Sequence, residues 1–173
     1  MMPEMNKPVI IMHDLRSIQN VGAILRTAAC LGDFIVYCTG HTPYPLIEGD
    51  PRMPHLAAKQ SRAMAKTSLG AENMLDIRIG ILGDVLDELR EQGYDMVACE
   101  QDARSITLGS WVPQARTAVL FGNEPQGVEG GILDQMDRIV EIPMHGNKES
   151  LNVASAAAIC LHHLTESLIH SNI

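Results

Sequence analysis

Polar residues able to do chemistry are gathered in three stretches of an otherwise aliphatic chain. The first runs from Leu15 to Gly32 and surrounds Arg26 with Gly22, Ala23, Ala29 and Cys30 at helical spacing. A solvated helix face is ordinarily richer in Lys and Glu. An arginine among small residues suits close contact with another surface, where its planar fork can hold a phosphate or a carboxylate. The second stretch, Thr117 to Val128, leads from an apolar run into Gly122-Asn123-Glu124. Gly122 lets a ligand approach the backbone, and Glu124 sets a carboxylate at the end of a strand, a place equally suited to a helix start. The Gly-Lys-Ser/Thr ending of a phosphate-binding loop is missing. The third stretch runs from Ile142 to Leu164. Pro143 closes a strand, His145 sits in a polar loop, and Ser150 is placed to cap the last helix. Asn152, polar beside an apolar helix, requires a partner.

The elements that must position these residues follow from the apolar pattern. Short β-type runs at 9–12, 34–38, 74–79, 95–99, 117–121 and 138–142 alternate with helical stretches at 21–31, 55–68, 82–92, 129–136 and 151–170. Strands that are apolar throughout, such as Ala118-Val119-Leu120-Phe121, suit a parallel sheet covered on both faces. The expected fold class is therefore α/β, a mostly parallel sheet flanked by helices in a single domain over 1–173. Asn20 is expected to cap the first helix and Gly32 to stop it, with Val21, Ile24, Leu25, Ala28 and Leu31 facing the core. The segment Val153 to Leu161 is apolar almost all round and is expected to be buried on every side, against its own sheet and a partner subunit. Ligands of such sheets bind beyond the carboxyl ends of the strands, so the segments after Met12, Cys99, Phe121 and Ile142 should carry the chemistry.

Composition narrows the function classes. Aromatic residues make up 3% of the chain, too few for the stacking platforms of a base-reading RNA module. A formal charge of −8 argues against binding nucleic acid by bulk electrostatics and shifts the question to local basic patches. Cys30, Cys38, Cys99 and Cys160 form no C-x-x-C pair and read as reduced core thiols. The adjacent His162 and His163 point in different directions on a helix, so no metal is expected. No signal peptide is legible before Val9 and no apolar run is long enough to span a membrane, which makes a cytoplasmic protein the expectation.

Taken in order, N-V-G-A-I-L-R-T-A, L-F-G-N-E-P-Q-G-V and I-P-M…S-L-N-V-A-S-A-A-A resemble the three motifs of the SpoU/TrmH family within the SPOUT methyltransferases, over essentially the whole chain. The resemblance implies transfer of a methyl group from S-adenosyl-L-methionine to an RNA ribose 2′-hydroxyl, with tRNA ahead of rRNA. It implies a C-terminal trefoil knot holding the cofactor and a homodimer with the site near its interface. Arg26, Asn20, Glu124, Ser150 and Asn152 match the family's catalytic positions. Gly122, Ile142 and Leu151 match positions that hold the cofactor, with Cys99 as a further wall and Met144 as an apolar one. Since arginine stays protonated, Arg26 is expected to stabilise the developing alkoxide and anchor the adjacent phosphate, and His145 is a candidate proton acceptor. Pro125-Gln126 departs from the family, whose members often carry a small residue followed by arginine. Arg52, Lys59, Arg62 and Lys66 lie in a stretch free of acids between Asp50 and Glu72; Lys59, Arg62 and Lys66 would line one helix face, and the four are expected to contact RNA, the alternative being a solvated face. Methylation of a base nitrogen, and a cofactor-binding RNA-binding or assembly factor without catalysis, are the alternatives.

Overall fold

The computed structural model describes residues 7–123 and 127–170. Its centre is a seven-stranded, all-parallel sheet in the order β3-β2-β1-β6-β4-β7-β5. The strands are β1 (Val9–His13), β2 (Ile35–Thr39), β3 (Asp76–Gly80), β4 (Asp95–Cys99), β5 (Ile106–Thr107), β6 (Thr117–Phe121) and β7 (Arg138–Glu141). The helices are α1 (Ile18–Leu31), α2 (Pro54–Ser68), α3 (Leu82–Glu91), α4 (Gly130–Leu133) and α5 (Val153–His170).

Strand alternation divides the interior into two cores. Ile10, Met12, Val119 and Phe121 face α1, α2 and α5, while Val9, Ile11, Ala118 and Leu120 face α3 and α4. Every residue of β2 and β6 is buried, which is why both read from the sequence as continuous apolar runs. The register of β1 on β6 pairs Met12 with Phe121, so the segments after these two strands emerge side by side.

Several boundaries differ from the sequence expectation, each for a local reason. Helix α1 begins a turn earlier, because Ser17 rather than Asn20 caps it: the Ser17 hydroxyl accepts from the Asn20 amide at 3.2 Å. Helix α5 begins at Val153, and its cap is Asn152, whose Oδ1 accepts from the Ala154 amide at 2.9 Å, so Ser150 stays free of that task. Helix α4 is a single turn, and the two-residue edge strand β5, exposed at both positions, carries no sequence signal. The expected burial of α5 against its own sheet holds for Ala157, Cys160 and Leu161, while Ser155 and Ile159, the latter 44% exposed, are not covered within this chain. Cys30, expected in the core, is exposed near the end of α1. Gly22 serves the crossing of α1 and α2, since a Cβ there would lie 2.1 Å from Thr67 Oγ1.

Candidate active site

The carboxyl ends of β4, β6 and β7 open into a cavity of about 310 Å³. Cys99 and Glu100 come from the end of β4, Gly122 and Asn123 follow β6, and Ile142 and Met144 follow β7, with Ser150 and Leu151 on the approach to α5. All five residues matched to cofactor binding, Cys99, Gly122, Ile142, Met144 and Leu151, line this one space.

The walls from β4 and β6 are fixed by contacts between the two loops. After β6 the chain doubles back, with the Gly127 amide donating to the Asn123 carbonyl at 2.9 Å. Gly127 adopts φ +67°, and a Cβ there would meet the Glu100 carboxylate at 2.5 Å. At Gly122 a Cβ would lie 2.5 Å from Val128 Cγ2 and 2.9 Å from the Gly127 carbonyl oxygen. What demands glycine at 122 is thus the chain's own return, in addition to any ligand. Glu100, which sequence reasoning passed over, is the clasp of this loop. One carboxylate oxygen accepts from the Val128 amide at 2.9 Å and the other from the Gln101 amide at 2.9 Å. The Gln101 side chain then donates to the Glu149 carbonyl at 3.1 Å, tying the β4 end to the loop before α5. The one available signal was position, since Glu100 directly follows a buried strand on the ligand-facing edge.

Beneath the cavity, the Cys99 and Cys160 thiols are hydrogen-bonded, and this contact together with burial pushes the Cys160 thiol well above its ordinary range. Burial pushes Cys38 up to about 12. Both buried thiols are therefore protonated and unreactive at neutral pH.

The first and third motifs meet at the rim. Asn152 Nδ2 donates to Asn20 Oδ1 at 3.2 Å across a sequence separation of 132, so one asparagine caps α5 and clamps α1. Arg26, further along α1, is exposed, its side chain has no hydrogen bond or ion pair among the described residues, and it does not line the cavity. His145 is exposed and also lies off the cavity wall. Glu124, Pro125 and Gln126 lie outside the described residues.

On α2, Lys59, Arg62 and Lys66 are exposed and form no ion pair among the described residues. Arg52 has a different environment. Its guanidinium pairs with Asp50 at 2.5 Å, donates to the Tyr44 and Pro45 carbonyls at 2.9 Å, contacts Gln60 Oε1, and stacks 3.6 Å from the Tyr44 ring centroid. That arginine pins the loop between β2 and α2. Among the described residues, no cluster of His, Cys, Asp and Glu could hold a metal ion, and no helix is long and apolar enough to cross a membrane.

A sequence model of the SpoU rRNA Methylase family matches residues 52–162. The chain belongs to that family. It is 30% identical over 156 residues to a TrmH family tRNA/rRNA methyltransferase of Staphylococcus haemolyticus, covering 89% of this chain and 56% of that one. It is 28% identical over 149 residues to the tRNA (guanosine(18)-2′-O)-methyltransferase of Mus musculus, covering 84% of this chain and 8% of that one. The chain thus spans about half the length of the Staphylococcus protein and a small part of the mouse one. The AdoMet-bound rRNA methyltransferase of Sinorhizobium meliloti shares the fold with a TM-score of 0.78 at 24% identity, over 97% of this chain and 59% of that one.

Proposed function

We propose that this SpoU-family chain transfers a methyl group from S-adenosyl-L-methionine to a ribose 2′-hydroxyl of RNA, with tRNA favoured over rRNA. The observation that carries the reading is the convergence of the motif residues. Cys99, Gly122, Ile142, Met144, Ser150 and Leu151 line one cavity, and Asn20 meets Asn152 at its rim. Volume and lining suit a nucleoside-sized ligand, with Ile142, Met144 and Leu151 as apolar walls and exposed backbone groups for orientation. The donor would supply an electrophilic methyl group there. This chain's residues would hold it, keep water from its apolar side and stabilise charge on the acceptor oxygen.

One relative supports the ribose 2′-hydroxyl of tRNA as acceptor: the mouse protein is a tRNA (guanosine(18)-2′-O)-methyltransferase. Arg26 is proposed as the cation that stabilises the alkoxide and grips a phosphate, with Glu124, Asn20, Ser150 and Asn152 shaping the acceptor pocket. Because Arg26 does not line the cavity, and Ser155 and Ile159 of α5 are exposed, a homodimer that covers α5 and completes the site is part of the proposal. So is the threading of the segment between β7 and α5 as a trefoil knot around the cofactor. Lys59, Arg62 and Lys66 are the proposed RNA-binding face, and Arg52 contributes by holding the preceding loop in place.

Calorimetric titration with S-adenosylhomocysteine tests the cofactor site. Micromolar binding that survives Arg26→Ala, while methyl transfer is lost, is the expected result. A folded protein that binds neither S-adenosylhomocysteine nor S-adenosyl-L-methionine would overturn the reading.

A further inference from the structure

One cluster of titratable groups on the ligand-facing edge of the sheet is not used by the roles above. Asp14 ends the turn after β1 and His41 follows β2, so the two lie on neighbouring loops. Asp14 Oδ1 accepts from both the His41 amide at 2.8 Å and His41 Nδ1 at 3.0 Å. A carboxylate only accepts, so the proton must sit on Nδ1, and the lone pair of Nε2 is left pointing away. The His41 side chain is 91% exposed, which makes that lone pair available to an incoming group.

Both loops that carry the pair contain a residue in the left-handed backbone region. Asp14 is a non-glycine residue at φ +54°, a conformation that costs free energy and gathers at functional sites. Gly40, at φ +63°, would place a Cβ 2.1 Å from Asp14 Oδ1. The surroundings are equally fixed. Thr42 Oγ1 accepts from the Leu15 amide at 3.1 Å and donates to the Met12 carbonyl at 2.9 Å, lacing the two loops together. The second Asp14 oxygen faces His13 Nε2 at 3.4 Å, and His13 Nδ1 is held by Thr39 at 2.9 Å. Across Asp14, His13 is the other titratable group in contact with the pair among the described residues. The Asp14 carbonyl accepts from Asn123 Nδ2 at 3.1 Å, and Asn123 lines the cavity. His41 is thus two hydrogen-bonded residues from the cavity wall.

We infer that His41, held in its Nδ1–H tautomer by Asp14, is the proton acceptor for the RNA hydroxyl. This rests on the methyl-transfer reading. The acceptor oxygen forms its bond to the methyl carbon as the bond from that carbon to the donor's sulfonium sulfur breaks. The hydroxyl proton passes to His41 Nε2. The products are the methyl ether, neutral S-adenosylhomocysteine and an imidazolium, so charge and atoms balance. Arg26, permanently protonated, then needs only to stabilise charge, and Asp14 fixes the tautomer and stabilises the imidazolium.

The test uses the full chain, tritiated S-adenosyl-L-methionine and a pool of unmodified tRNA and rRNA transcripts. His41→Ala should lower kcat by about 100-fold, the low end for loss of a general base, with S-adenosylhomocysteine affinity unchanged. In His41→Gly, added imidazole should restore turnover, and more basic substituted imidazoles should restore it better. Asp14→Asn should also lower kcat, because its Oδ1 still accepts from the His41 amide and Nδ1 but the neutral side chain no longer stabilises the imidazolium. Wild-type turnover with His41→Ala equally active, or a slow His41→Gly that no imidazole rescues, would overturn the inference alone. Binding of neither cofactor form to the folded wild type would instead overturn the methyl-transfer reading, and this inference with it.

Discussion

Asn152 performs two separable tasks, and substitution can part them. Its Oδ1 caps α5 through the Ala154 amide, and its Nδ2 donates to Asn20 on α1. Asn152→Ala removes both. Loss of an N-cap costs about 1 kcal/mol, and the exposed amide–amide bond adds only a few tenths because water replaces it. For a domain of this size, a loss of about 1 kcal/mol lowers Tm by roughly 2–4 °C. Asn152→Asp keeps the acceptor and adds a negative charge at the helix N-terminus, which is favourable there, but cannot donate to Asn20. Its Tm should therefore return to the wild-type value or above. Methyl transfer should stay low in both variants, because neither supplies the donor that Asn20 Oδ1 accepts from. Thermal unfolding followed by circular dichroism, paired with the methyl-transfer assay, reads both quantities. If Asn152→Asp is as unstable as Asn152→Ala, capping is not what Asn152 contributes to stability. If it is stable and fully active, donation from Asn152 to Asn20 does not matter for the site.

Other expectations follow from particular side chains. Gly122→Ala should destabilise by about 1–3 kcal/mol, because Val128 and the Gly127 backbone must move, and urea unfolding should show a lower midpoint. A fully stable Gly122→Ala that no longer binds S-adenosylhomocysteine would assign the glycine to ligand approach instead. The Arg52 guanidinium beside Asp50 lowers that carboxyl to about 2. A depressed carboxylate contributes stability that is present above its unfolded value near pH ~4 and is lost as pH falls through about 2. Urea midpoints between pH 5 and 2 should therefore fall less steeply in Asp50→Asn than in wild type. Neutralising Lys59, Arg62 or Lys66 should weaken RNA binding by filter assay, leaving S-adenosylhomocysteine binding intact. The salt slope should drop by about 1 for each phosphate that a removed charge had neutralised. An unchanged slope in the triple variant would place the RNA elsewhere.

The parts of the fold legible in the sequence are those that burial forces. β1, β2, β4 and β6 are covered on both faces, so their central residues had to be apolar, with polar residues such as Thr39, Asp95 and Thr117 only at the strand ends. β5 was illegible because two exposed residues at a sheet edge need no pattern. At the start of α5, Ser150 and Asn152 are both good caps, and local chemistry alone does not choose between them. Asn152 takes the role in a structure where Ser150 and Leu151 line the cavity and Asn20 stands within reach. The cavity was legible because its residues cluster after strand ends, a rule of topology that needs no coordinates. Glu100 and the pairing of Asp14 with His41 were not, since their meaning lies in partners 28 and 27 residues away along the chain. Arg52 sat within an acid-free run that suggested an RNA-binding face, while Asp50, two residues earlier, holds it to the loop.

The central claim is that this chain methylates an RNA ribose. The most direct test incubates the purified protein with S-adenosyl-L-methionine and unmodified tRNA and rRNA transcripts, digests the RNA to nucleosides and weighs the products by mass spectrometry. The account predicts a nucleoside carrying its added methyl on the sugar, formed by the wild type and not by Arg26→Ala. A methyl group found on a base would contradict the acceptor, and no methyl transfer by a protein that binds the donor would contradict the enzyme.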